Sequence, residues 1–167
     1  NEHFEVRFMP IRVRGHHTGS LLIFRDVTER KNYENELIRR ANTDGLTGLY
    51  NRLHFLELLD KIKKQCELSG VPVSLLLIDV DHFKKINDQY GHMAGDRVLQ
   101  HFAALLKQCT RERGVAGRIG GEEFAVVVPG IDGAEAYRIA EEIRLQAFRE
   151  SSGPAESESG AHVERPA

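Results

Sequence analysis

Two short segments hold the residue types on which metal or phosphate chemistry would draw. In the first, Asp79-Val80-Asp81-His82-Phe83-Lys84-Lys85 closes an apolar run. A carboxylate there is expensive to bury unless it is paired or holds a cation. Asp79 and Asp81, at i and i+2, would point to one side of an extended chain. In that arrangement they would share a hard divalent cation, with Lys84 and Lys85 offering charge to phosphates. The second segment is Arg118-Ile119-Gly120-Gly121-Glu122-Glu123-Phe124. Two glycines at a hairpin tip permit positive φ and close approach of a ligand. The two glutamates that follow, entering an apolar strand, have little structural purpose. Each segment also has an ordinary reading, as an acidic strand end and as a plain hairpin tip. Together they make an acidic cluster of the kind that holds Mg²⁺ against a nucleoside triphosphate.

An alternation of strands and helices must position these segments. Phe4, Val6, Phe8, Ile11 and Val13 recur with a period near two, Gly15 to Gly19 interrupts, and Leu21 to Val27 resumes. This predicts two strands and a short turn. A lone hairpin is marginal in water, so their sheet is expected to continue upstream. From Asp26 to Asn42 the period becomes helical, with Val27, Tyr33, Leu37 and Ala41 on one stripe. A dimerising coiled-coil stalk and a solvated linker helix both fit that stripe. After a break at Thr43 to Gly48, Phe55, Leu58, Leu59, Ile62 and Cys66 mark an amphipathic helix that Gly70 and Pro72 end. Val73 to Val80 reads as a strand buried on both faces. The next helix begins near Gly95, with Val98, Leu99, Phe102, Leu105, Leu106 and Cys109 on its core face. Val115 to Ile119 and Glu123 to Val128 form a tight hairpin around Gly120-Gly121. Ala134 to Phe148 is the last helix. Residues 149–167 have four serines, two prolines and no aliphatic side chain larger than Val163, and disorder is expected there.

Composition narrows the function classes. The 167 residues are 41% hydrophobic, enough for one core, and the longest apolar runs, such as Phe124 to Val128, are far too short to cross a bilayer. Twenty-three basic and 25 acidic residues leave a formal charge of −2, unlike a general nucleic-acid binder. Two isolated cysteines, Cys66 and Cys109, make neither a disulfide framework nor a zinc site. A cytoplasmic location is expected, with no membrane contact from this segment. The chain opens at Asn1 without a signal peptide and reads as a piece of something longer.

Four motifs then fall in order: Asp44-Gly-Leu-Thr-Gly-Leu-Tyr-Asn-Arg52, Asp79-Val-Asp-His-Phe-Lys-Lys-Ile-Asn-Asp88, Tyr90-Gly-His-Met-Ala-Gly-Asp96 and Gly120-Gly-Glu-Glu-Phe124. In spacing and type they resemble GGDEF domains, the diguanylate cyclases. The stretch Phe24-Arg-Asp-Val-Thr-Glu-Arg-Lys31 resembles the end of a PAS sensor domain running into its signalling helix. The organisation implied is a PAS remnant over residues 1–27, a linker helix over 28–43, an incomplete GGDEF domain over 44–148 and the tail. The fold implied is α/β (α+β), a ferredoxin-like, palm-type sheet flanked by helices, with an N-terminal β-hairpin remnant.

The resemblance implies a reaction: two facing domains, each holding one GTP, form cyclic di-GMP and two pyrophosphates under control of the upstream sensor. The cofactor implied is Mg²⁺ or Mn²⁺, held by Asp79, the Val80 carbonyl and Glu122. Glu122 also takes the position of the family's general base, while Glu123 is either a second metal contact or an orienting neighbour. Asn87 and Asp96 are implied to bind guanine with His92 nearby, and Lys84 and the amides around His82 and Phe83 to meet the phosphates. An amide and a carboxylate suit guanine's carbonyl and amino-imino edge, which adenine lacks. His92 also fits an ordinary turn histidine that caps backbone groups.

Two departures from the family stand out. Its Arg-x-x-Asp inhibitory site reads Arg111-Glu-Arg-Gly114 here, which lacks the acidic member. Its further C-terminal strand, helix and Lys/Arg-bearing segment give way to a Ser/Glu/Pro tail. The first reading is therefore a Mg²⁺-dependent diguanylate cyclase working as a homodimer. The alternative is a catalytically silent GGDEF module that binds GTP or only dimerises.

Overall fold

The computed structural model describes residues 2–13, 16–110 and 113–151. The chain divides into two compact units, Asn1–Asn42 and Thr43–Ala167. In the first, β1 (Phe4–Val13) pairs antiparallel with β2 (His16–Asp26), Phe4 lying opposite Asp26. The second strand thus begins inside the stretch expected to turn. Phe4, Phe8 and Phe24 all remain more than half exposed, so the described residues of this ribbon form no core of their own. Asp26 accepts the Thr28 N–H at 2.9 Å and starts α1 (Thr28–Asn42). On α1, side-chain bonds from Arg39 and Arg40 hold the Glu36 carboxyl down at about 2.

The second unit is a four-stranded sheet of order β3 (Tyr50–Asn51), β5 (Val115–Arg118), β6 (Glu123–Pro129), β4 (Val73–Asp79). β3 runs parallel to β5, and the other pairings are antiparallel. Helix α2 (Arg52–Ser69) is started by Asn51, whose side chain accepts the His54 N–H, and ended by Gly70 in the left-handed region. Along β6 the side chains alternate between two apolar layers. Phe124, Val126 and Val128 join the larger cluster with residues of α4 (His92–Thr110) and α5 (Gly133–Ser151). Ala125 and Val127 meet Phe55 of α2 on the other face.

Several expectations change in detail. The strand buried on both faces is β6, all of whose residues from Phe124 to Val128 are buried, and not β4. Among the described residues β4 is an edge, and it leaves Leu75 and Leu77 47% and 70% exposed. A separate helix, α3 (Phe83–Tyr90), precedes α4, which starts three residues before Gly95. Two turns are too short for hydrophobic periodicity to register, and Gly91, at φ 84°, divides α3 from α4. Helix α5 continues past Phe148 to Ser151, where Arg149 in its last turn suits the helix dipole. The rest of the expected tail, residues 152–167, lies outside the described residues.

The Phe124 ring is fully buried and meets Phe102 edge-on, with ring centroids 5.1 Å apart. Phe124→Ala should therefore cost about 3–5 kcal/mol. Urea unfolding followed by circular dichroism checks this, and a loss below about 1 kcal/mol, the range of a surface substitution, would contradict it.

Candidate active site

The antiparallel pairing of β4 with β6 ends with Asp79 directly opposite Glu123, both exposed. One residue further, the Val80 N–H donates to the Glu122 carbonyl at 3.2 Å. Like charges set opposite across a ladder repel, and a cation between them would offset this. Glu122 is half-buried beside the pair. The Glu123 carboxylate folds back over Gly120, occupying the space a Cβ would need there. The Ile119 and Gly120 N–H groups both donate to the Glu123 carbonyl, at 2.9 and 3.2 Å, and close the tip.

Arg118 braces this tip. Its Nε and Nη2 donate to the Gly121 carbonyl at 3.2 and 2.6 Å, and its Nη1 reaches Asp44 Oδ1 at 3.1 Å. Asp44 Oδ1 also accepts the Thr47 N–H at 2.8 Å and the Thr47 hydroxyl at 2.6 Å. Both members of the ion pair are largely sequestered, their side chains 15% and 24% exposed. Burial pushes the Asp44 carboxyl up, but the two Thr47 bonds and the Arg118 guanidinium outweigh it and leave the carboxyl below its ordinary value.

Beyond β4 the chain turns sharply, so Asp81 does not continue the extended geometry that would align it with Asp79. His82 adopts φ 59°, a left-handed conformation uncommon outside glycine, and begins α3. The Phe83 N–H donates to the Val80 carbonyl at 3.2 Å, and the Phe83 side chain is buried. The N–H groups of Asp81, His82 and Lys84 have no acceptor among the described residues. Lys84 and Lys85 are exposed beside them. Asn87, half-buried on α3, lies against Gly95 of α4, next to Asp96. His92 and Asp96 are one turn apart on α4 and share its exposed side.

Among the described residues no three His, Cys, Asp or Glu side chains converge into a ready-made metal cage. Arg111 lies outside the described residues. At Gly114 a Cβ would stand 2.7 Å from the Val127 carbonyl oxygen, so the backbone there packs too closely on β6 for a side chain without movement.

The family model described as diguanylate cyclase, GGDEF domain, matches residues 41–163. The chain belongs to this family. The GGDEF domain is 49% identical over 116 residues to the response regulator PleD of Caulobacter vibrioides, covering 70% of this chain and 25% of PleD. It is 38% identical over 149 residues to the diguanylate cyclase DgcM of Escherichia coli, covering 89% of this chain and 36% of DgcM. The chain thus spans about a quarter to a third of these curated relatives. Among solved structures, the coiled coil and GGDEF domain of DgcB from Caulobacter crescentus, in complex with c-di-GMP, superposes with a TM-score of 0.70. Identity to it is 33%, over 80% of this chain and 69% of that one. The mixed α+β sheet flanked by helices is the fold shared with these structures.

The fold thus gathers Asp79, Val80, Glu122 and Glu123 at one end of the β4–β6 pair, and Asn87 and Asp96 at the α3–α4 corner. The brace between Arg118 and Asp44 had no assigned role in the sequence. Its one local signal was the spacing Asp44-x-x-Thr47, which suits a side chain capping its own turn. Because the Asp44 carboxyl sits below its ordinary value of 3.8, its contribution to stability is complete above that pH and is lost as pH falls through the lower folded value. Asp44→Asn should therefore be less stable than the parent at neutral pH. The gap should close below about pH 3.8 in urea titrations across that range, and a gap independent of pH would contradict it.

Proposed function

We propose that this GGDEF domain condenses two GTP into cyclic di-GMP and two pyrophosphates, acting as a dimer with Mg²⁺ or Mn²⁺. The observation that carries this reading is the β4–β6 register, which sets Asp79 against Glu123 and ties Val80 to Glu122. The relatives support it, DgcM being named a diguanylate cyclase. The exposed apolar residues of the β1–β2 ribbon support a further proposal, that it is the end of a sensor domain controlling the enzyme.

Asp79, the Val80 carbonyl and Glu122 would hold the cation, whose charge supplies Lewis-acid stabilisation of the phosphate oxygens. Asn87 and Asp96 bind guanine through its carbonyl and amino-imino edge, with His92 beside them. The unpaired N–H groups and Lys84 at the start of α3 meet the phosphates. Glu122 takes the proton from the 3′-hydroxyl. That oxygen then bonds to the α-phosphorus of the GTP on the facing domain, and the bond to pyrophosphate breaks. Two such transfers close the ring, so each site is incomplete without its partner.

Incubation with GTP and Mg²⁺ followed by mass spectrometry should detect cyclic di-GMP. Asp79→Asn and Glu122→Gln should each reduce its formation at least about a hundredfold, in line with the usual effect of removing a general base, and leave the melting midpoint near the parent's. No product from the parent protein, with GTP still bound, would favour the silent module instead. Product feedback through Arg111 and Gly114 should be weak, since glycine offers no acceptor for guanine. Calorimetric titration with cyclic di-GMP should show no tight site that Arg111→Ala abolishes.

A further inference from the structure

We infer that Gly95 is a positioning residue for Asn87, its bare Cα being the seat on which the Asn87 carboxamide rests. The inference rests on the reading of Asn87 as a guanine contact. Gly95 is buried on α4, and a Cβ built there would run into Asn87 Oδ1. That Cβ would also stand 3.0 Å from Asn87 Cγ and 3.1 Å from Cζ of Phe83. Phe83 and Asn87 are one turn apart on α3 and so form a single ridge. The ridge meets α4 where α4 has no side chain. Phe83, 8% exposed, anchors it in the core.

Asn87 is only half-buried, and its carboxamide makes no hydrogen bond to another of the described residues. Nothing polar among the described residues therefore fixes its orientation, and the amide donors and acceptor face no competing partner there before a base edge. What restrains it is the steric floor at Gly95. Intrinsic preference argues against glycine at this point, since alanine would make the better helix. The close approach of the Asn87 side chain supplies the reason for glycine there.

The test is a double-mutant cycle, measuring GTP and ATP binding to the whole chain with Mg²⁺ by calorimetry and melting midpoints in parallel. Gly95→Ala should weaken GTP about tenfold, the scale of a lost buried polar contact, and narrow the preference for GTP over ATP. Its melting midpoint should not fall. In an Asn87→Ala background, adding Gly95→Ala should change GTP affinity less than about twofold, because the two act as one unit. Equal losses from Gly95→Ala in both backgrounds would overturn the inference. So would parental GTP affinity in Gly95→Ala when Asn87→Ala is weakened. Parental affinity in Asn87→Ala itself would instead remove the reading of Asn87, and the inference with it. Should Gly95→Ala alone melt lower, recovery of the midpoint in the double variant supports the seat. Persistence of the loss would assign the clash to Phe83 and overturn it.

Discussion

The pairing register between β4 and β6 is the constraint on which the rest of the second unit depends. A slip of one residue would turn every side chain of a strand to the opposite face. Here the two faces of β6 are unequal. Phe124, Val126 and Val128 are directed to the layer of α4 and α5, while the smaller Ala125 lies with Val127 on the side where Phe55 must fit. Gly117 on neighbouring β5 adds to this fit, since a Cβ there would come within 2.7 Å of the Phe55 ring. Core volume therefore selects the register. The same register puts Asp79 opposite Glu123 at the end of the ladder.

Apolar burial on both faces of β6 holds together the ladder that ends with Asp79 opposite Glu123. The hairpin tip has its own restraint in the Arg118 brace, which joins the Gly121 carbonyl to Asp44, 74 residues before the arginine. Breaking a sequestered ion pair from one side leaves its other member without a partner, which costs more than the pair contributes when intact. Such a brace fixes one geometry of the tip and, through the lowered Asp44 carboxyl, adds to stability at neutral pH. At the α3–α4 corner the device is different. Gly91 turns the chain, and Gly95 permits close packing of the Asn87 side chain on α4.

Much of this was legible in the sequence because it is local. Periodicity located α2 and α4, since each presents one apolar stripe of its own, and the Gly120-Gly121 pair between two apolar runs located the hairpin of β5 and β6. The acidic strand end and the Gly-Gly tip were legible as chemistry because cost of burial and backbone freedom belong to residue type. The motifs in order identified the family, and the comparisons agree. The short helix α3 was not legible, because eight residues give too few turns for a stripe.

What only the tertiary structure decided are relations between distant segments. Val73 to Asp79 and Glu123 to Pro129 are both apolar, yet one is an edge and the other the interior. Composition cannot distinguish them, because position in a sheet depends on which strands pair. For the same reason Asp79 finds its carboxylate neighbour in Glu123 across the ladder instead of in Asp81 along the chain. Arg118 meets Asp44, and Asn87 meets Gly95, only after the elements pack. Sequence alone determined which chemistry was present and which elements would carry it. Register and close packing, set by the unequal volumes on the two faces of β6 and by the missing side chain of Gly95, decided which of those groups stand together.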